Sequence, residues 1–125
     1  MAATTCPNLP LADRGRRWDR DAAERRVRRW AKAADRPNAA YRRAFLWHDP
    51  EKAGEFTAYK LPIGDIVDGE LEAVPQAVMA VARVLEGARG GVDLPAGDVG
   101  SVRRCVERYY RKMGEDAPWR EKKAA

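Results

Sequence analysis

The sequence predicts a single domain of the α+β class, with three helices and a small antiparallel sheet of three or four short strands. Three segments repeat apolar residues at the spacing of a helix face. Between the first two of them lie short apolar and aromatic runs separated by turn residues, which is typical of strands. At 125 residues, the chain is long enough to bury one modest core.

The first helix is predicted to begin at Asp21, because an Asp followed three positions later by Glu24 can cap the first turn. Pro37 is predicted to end it. The residues expected on its apolar face are Ala23, Val27, Trp30, Ala31 and Ala34.

Four short segments carry the strand pattern. The first two are separated by a polar turn at residues 49–54, and the last two flank Asp68-Gly69, a dipeptide that tolerates the positive φ of a two-residue hairpin turn. The predicted strand segments are 44–47, 56–61, 66–67 and 70–74.

The second helix is predicted from Pro75 to about Glu86, since proline suits a first helical position and Gly87 can take the left-handed conformation after the last turn. Apolar residues cover most of its circumference, so we expect it to be the most buried helix.

A third helix is predicted to begin at residues 93–95 or at Asp98 and to end at Gly114. Residues 120–125 are expected to form a frayed basic tail. The stripe that should face the core consists of Val99, Val102, Val106, Tyr109 and Met113.

The ends of the chain differ from its centre. Residues 1–17 have few apolar residues and are expected to form a mobile arm, with a single domain over 18–119. Cys6 falls in that arm and Cys105 in a helix, so we expect two free thiols. No apolar run is long enough to span a membrane and no secretory signal is recognisable, which predicts a cytoplasmic protein without a membrane partner.

Charge is distributed unevenly along the chain. The net charge is +7 over residues 1–43, −6 over residues 44–100 and +4 over residues 101–125, and the whole chain carries +5. Basic ends of this kind can pair with the acidic middle of the same chain, or they can contact nucleic-acid phosphates or an acidic partner.

Two clusters of basic residues, one on the first helix and one on the third, are candidates for binding DNA or another nucleic acid. Guanidinium groups on successive turns can neutralise several phosphates, although the same pattern is typical of a solvated helix face. Trp30 is expected to anchor its helix to the core, and at least one of Tyr109 and Tyr110 must do the same. The candidate residues are Arg25, Arg28, Arg29, Lys32, Arg103, Arg104, Arg108 and Arg111.

Other reactive residues are few. Ser101 is the only serine and His48 the only histidine, and we expect the first on a helix surface and the second at a strand edge or turn, so no catalytic residues are predicted. Cys6, Cys105 and His48 are isolated, so no metal or other cofactor is predicted. The glycine-rich segment 87–91 follows a helix, whereas phosphate loops follow a strand, and we interpret it as a flexible turn.

Several short stretches between residues 45 and 119 share their pattern with a known family. They are Ala58-Tyr59-Lys60-Leu61-Pro62, Asp68-Gly69, Val74-Pro75, Gly87-Ala88-Arg89-Gly90-Gly91-Val92-Asp93-Leu94-Pro95, Tyr109-Tyr110 and Pro118-Trp119. This pattern resembles a small module found in head-morphogenesis genes of tailed bacteriophages and prophages, often beside prohead-protease or capsid genes. The resemblance implies an accessory role in virion assembly, with phage head proteins as partners, and supplies no catalytic residues.

From these observations we expect a non-enzymatic protein-interaction module of phage head assembly, located in the host cytoplasm or associated with the virion. The alternative is a nucleic-acid-binding module that uses an arginine-rich helix face. No pattern in the sequence indicates an oligomeric state.

Overall fold

A computed structural model describes residues 4–119, apart from the side chain of Arg89, and shows an α+β fold, which confirms the predicted class. The described residues form four α-helices, one more than expected. In chain order the elements are α1 (Arg20–Trp30), α2 (Ala39–Arg42), β1 (Phe45–His48), β2 (Tyr59–Pro62), β3 (Gly64–Val67), β4 (Glu70–Ala73), α3 (Pro75–Leu85) and α4 (Ala96–Lys112), with short 3₁₀ turns at Pro50–Lys52, Phe56–Ala58 and Ala88–Gly90.

The four strands form two separate two-stranded sheets and not one sheet of three or four strands. β1 pairs with β2 and β3 pairs with β4, both in antiparallel register. Only Ile63 separates β2 from β3, and one residue is too short for the turn that would fold them into a hairpin. Pro62, at the end of β2, also lacks the amide that would continue a ladder.

The hairpin of β3 and β4 turns at Asp68-Gly69, as predicted. Both residues have positive φ, 51° and 82°, which is the backbone conformation of a tight two-residue turn. α1 packs on β3, with Ala23 and Val27 buried between them. The indole of Trp30 donates a hydrogen bond to the Gly69 carbonyl at 3.1 Å, which joins the end of α1 to the turn.

Residues 4–17 are packed on the domain, unlike the mobile arm that we expected. Leu9 is fully buried, and Ala12 and Ala73 are joined by a hydrogen bond from the Ala12 amide to the Ala73 carbonyl at 2.8 Å. The Thr5 amide donates to the Leu46 carbonyl at 3.1 Å. The segment therefore adds backbone hydrogen bonds to β1 and β4, and these supplement its few buried side chains. Residues 1–3 of the predicted arm, like the predicted tail 120–125, lie outside the described residues.

The expectation of two free thiols is wrong, because Cys6 and Cys105 form a disulfide. They are 99 residues apart in sequence, and the packed N-terminal segment brings their Cα atoms to 5.6 Å, which is within the range for a disulfide. Tyr109, one turn further along α4, donates a hydrogen bond to the Pro7 carbonyl and accepts one from the Leu9 amide at 3.2 Å. The disulfide thus lies within a longer contact between the segment and α4.

The core lies between the helices and the two sheets. α3 buries Ala77, Val78, Val81 and Ala82, and α4 buries both Tyr109 and Tyr110, although only one tyrosine was required to face inward. Gly87 follows α3 with a φ of 102°, as predicted for the residue after a helix. Within residues 4–119, none of the helices has the length and apolar character that a membrane crossing requires.

Candidate functional site

A groove of about 1300 Å³ lies between β2 and α3. We call it the β2–α3 groove. Its walls combine buried and half-buried apolar side chains with charged residues of both signs, including Arg20, Glu24, Lys60, Arg83 and Asp93. Its volume exceeds the roughly 300–1,000 Å³ of sites for small molecules. The apolar side chains that line it include Trp18, Phe56, Leu61, Met79, Val84 and Val92.

The groove runs along an edge of β2 that has no strand partner within residues 4–119. β1 occupies the other edge of β2. All four residues of β2 contribute to the lining. Because successive strand residues point to opposite faces of a sheet, such a lining indicates that the groove follows the strand edge. An open edge offers backbone amides and carbonyls to an extended segment of another chain.

The backbone of β2 departs from regular geometry in the groove. Leu61 is nearly buried and has a φ of 63°, in the left-handed region that residues other than glycine seldom adopt. Residues in this conformation carry a conformational cost and are found preferentially at binding and catalytic sites. The strained residue of β2 therefore lies in the wall of the groove.

Two of the short stretches that the sequence analysis singled out meet in this groove. The first contains β2, and the second contains the turn after α3, of which Ala88, Gly91, Val92 and Asp93 line the groove. The Lys60 ammonium donates a hydrogen bond to the Asp93 carbonyl at 3.1 Å and so links the two stretches. They are separated by more than twenty residues in sequence, and the fold brings them to one surface.

The predicted basic cluster on α1 is divided by the structure. Arg25, Arg29 and Lys32 are exposed. Arg28 instead lies over the ring of Phe56, 3.8 Å from its centroid, and donates a hydrogen bond to the Ala34 carbonyl at 3.0 Å. Arg28 therefore holds the domain together and is not available to a ligand without loss of these contacts.

The predicted cluster on α4 is divided in the same way. Arg104, Arg108 and Arg111 are exposed. The half-buried Arg103 lies over the indole of Trp119, 5.1 Å from its centroid. The three exposed residues follow one another at intervals of four and three, so they form one row on the outer face of α4.

Asp65, whose charged side chain is buried, was not identified from the sequence. Its side chain is fully buried in β3 and receives two hydrogen bonds from Arg26, each 2.8 Å long, and one from Arg16 at 3.1 Å. Burial acts to raise the pKa of the carboxyl, but these bonds and one from the Ile66 amide outweigh it and hold the pKa below its usual value. Basic residues from near the N-terminus thus neutralise an acidic residue of the middle segment.

The remaining candidates are structural. His48 lies at the end of β1, a strand-end position as expected, but its side chain is fully buried and stacks on Tyr59, with ring centroids 5.4 Å apart. The Ser101 hydroxyl accepts a hydrogen bond from Arg104 at 3.2 Å. Among residues 4–119, no group of three or more His, Cys, Asp or Glu side chains is arranged to hold a metal ion.

Comparisons with known proteins identify no relative. No protein-family model matches the chain, and no curated protein or solved structure matches it significantly. The geometry of the groove and of the exposed arginines is therefore what bears on function.

Proposed function

We propose that this protein is a non-enzymatic accessory module of phage head assembly that binds an extended segment of another head protein in the β2–α3 groove. The observation that carries the proposal is the groove itself, where an open strand edge borders apolar side chains. The phage part of the proposal rests on the sequence resemblance, whose two longest stretches line that groove.

Binding of an added strand accounts for the open edge of β2 lying beside the apolar walls of the β2–α3 groove. Apart from Pro62, which has no amide to donate, the backbone of β2 can supply hydrogen bonds of little sequence preference, and pockets beside it select alternate side chains of the bound segment. Trp18, Phe56 and Met79 are half-buried and can bury further apolar area on binding. We therefore expect a partner segment in which apolar residues alternate with polar ones.

The proposal is tested by measuring binding of the full chain to the purified head proteins encoded beside it, and then to overlapping peptides from the protein that binds. Met79→Glu places a charge in the apolar wall and is expected to weaken binding at least about tenfold, the loss typical of an interface anchor. Met113→Glu is the matched control, because Met113 is also half-buried but does not line the groove.

Two results would contradict the proposal. One is the absence of binding to every neighbouring head protein, together with normal head formation when the gene is deleted. The other is an equal loss of binding in Met79→Glu and Met113→Glu when both variants remain folded by circular dichroism, since the partner would then contact another surface.

A further inference from the structure

A second, smaller concavity of about 400 Å³ lies between the N-terminal segment and the first half of α4. The Cys6–Cys105 disulfide forms part of its wall, and we call it the disulfide pocket. Its polar lining consists of Thr4, Asp98, Ser101, Arg104 and Arg108. It is separate from the β2–α3 groove, with which it shares no lining residue.

The two arginines of the disulfide pocket are oriented by weak contacts within the chain. Arg104 donates a hydrogen bond to the Ser101 hydroxyl at 3.2 Å, and Arg108 donates one to Cys6 Sγ at 3.8 Å. Neither contact supplies a negative charge. The ion pairs of the described residues involve Arg14, Arg16 and Arg26, and not these two arginines. Neither of these two guanidinium groups is therefore in an ion pair with a carboxylate of the described residues.

A hydroxyl group on the opposite wall also lacks a partner. The Thr4 Oγ1 atom is buried and makes no hydrogen bond within residues 4–119. Buried polar atoms are almost always hydrogen-bonded, and Thr4 is one of the residues that line the pocket, so we take its unpaired hydroxyl as a second sign of a bound group. The one carboxylate in the lining, that of Asp98, accepts a hydrogen bond from the Trp47 indole at 2.9 Å. One carboxylate against two guanidiniums leaves the pocket positive.

We propose that the disulfide pocket binds a phosphate group, and that this group is a phosphodiester of a nucleic acid. Each guanidinium group can donate two parallel hydrogen bonds to the oxygens of one phosphate. The hydroxyls of Thr4 and Ser101 can donate to the remaining oxygens. Arg111 extends the row beyond the pocket. Seven residues of helix span about 10 Å, which covers about three phosphates of one strand of a duplex, where the phosphates rise about 3.4 Å each along the axis.

The proposal is tested on the full chain with three probes: a labelled single-stranded oligonucleotide, the corresponding duplex, and inorganic phosphate. Binding to both oligonucleotides is expected at low ionic strength. In Arg108→Gln the slope of log K against log salt should fall by about 0.9 for the duplex and about 0.7 for the single strand. Thr4→Val removes the unpaired hydroxyl without a change in charge and is expected to weaken binding several-fold with the slope unchanged.

Arg25→Gln is the matched control, because Arg25 is also an exposed arginine but lies on α1 and does not line the pocket. It should bind the oligonucleotide like the unmodified protein. Binding of inorganic phosphate at Thr4 and Ser101, seen as shifts of their amide resonances, without binding of either oligonucleotide would assign the pocket to free phosphate. No binding of any probe, or a larger effect of Arg25→Gln than of Arg108→Gln, would overturn the proposal.

Discussion

At the scale of single residues, the buried carboxylate of Asp65 shows why a charged residue can be essential to a fold. Its two oxygens are held by Arg26, Arg16 and the Ile66 amide, so it joins α1 and the N-terminal segment to β3. A buried carboxylate is tolerated only when its hydrogen bonds are made, and here four donors make them. The hydrogen bonds that Arg26 donates to the Asp65 carboxylate also keep the pKa of Arg26 above its ordinary value, so this pair stays charged.

We expect Asp65→Asn to lower the free energy of unfolding by about 3 kcal/mol at neutral pH, at the low end of the range for breaking a buried ion pair. The low end applies because the side chains of Arg16 and Arg26 are 31% and 41% exposed and can regain water. Urea denaturation measures the change. Asp68→Asn is the control, since Asp68 is exposed in a turn that asparagine also accepts, and it should change stability by less than about 0.5 kcal/mol.

The stabilisation that Asp65 provides is also expected to depend on pH. The pKa of Asp65 is lower in the folded state than its value of about 3.9 in an unfolded chain, so its stabilisation is complete above that pH and is lost as the pH falls below it. The stability difference between the unmodified protein and Asp65→Asn should therefore shrink as the pH is lowered through about 4. A difference that stays constant in acid would show that the carboxylate is not the source of the stabilisation.

At the scale of elements, the local signals located most helices and turns but placed some boundaries wrongly. α1 is capped by Asp19, whose side chain accepts a hydrogen bond from the Ala22 amide at 3.2 Å, and not by Asp21. Glu24, expected to complete that cap, instead accepts a hydrogen bond from the Tyr41 hydroxyl at 2.9 Å. α1 also ends well before Pro37, because Lys32 has a positive φ of 56°. By local sequence either Asp19 or Asp21 could cap this helix, and in the folded protein Asp19 does so.

Two glycines are expected to respond in opposite directions to the same substitution. In Gly64→Ala, the added methyl would lie 2.8 Å from Leu71 Cδ1 and 3.1 Å from the Ala44 Cα, so we expect a loss of about 1–3 kcal/mol from overpacking between β3 and its neighbours. In Gly100→Ala, the nearest atom is Arg104 Nη1 at 3.5 Å, an ordinary contact, so the better helix propensity of alanine should raise stability by about 0.5–1 kcal/mol. Thermal and urea denaturation measure both changes, and the same sign in the two variants would contradict this account of the packing.

At the scale of the whole molecule, the disulfide closes nearly the entire described chain into one loop. Loops of this length lose the most conformational entropy when they are closed in the unfolded state, and reduction is expected to lower the free energy of unfolding by about 2–4 kcal/mol. The double variant Cys6→Ala/Cys105→Ala is the control, because its stability should be independent of reductant.

Hydrogen exchange gives a second measurement of the same effect. Amides of Thr5 and Ala12 bond to the two sheets, so their exchange should accelerate on reduction more than that of amides in α3. Unchanged exchange and unchanged stability after complete reduction would show that backbone and apolar contacts alone hold the N-terminal segment.

The candidate sites were predicted only in part. The basic residues on α1 and α4 were identified from their spacing, but the contacts of Arg28 with Phe56 and of Arg103 with Trp119 could not be, because each joins segments that are distant in sequence. No sequence pattern pointed to the β2–α3 groove, since its walls come from β2, α3 and the segment before α1. A role in phage head assembly stays a prediction from resemblance.

By itself, the sequence determined the class of the fold, the approximate positions of its helices and strands, and the Asp68-Gly69 turn. These depend on spacing, caps and turn residues, which act over a few positions along the chain. Only the tertiary structure decided the division into two sheets, the packing of residues 4–17, the disulfide and the buried pair around Asp65. Each of these forms only when the chain brings distant residues together, and the free energy that selects them comes from burial and pairing that local patterns do not encode.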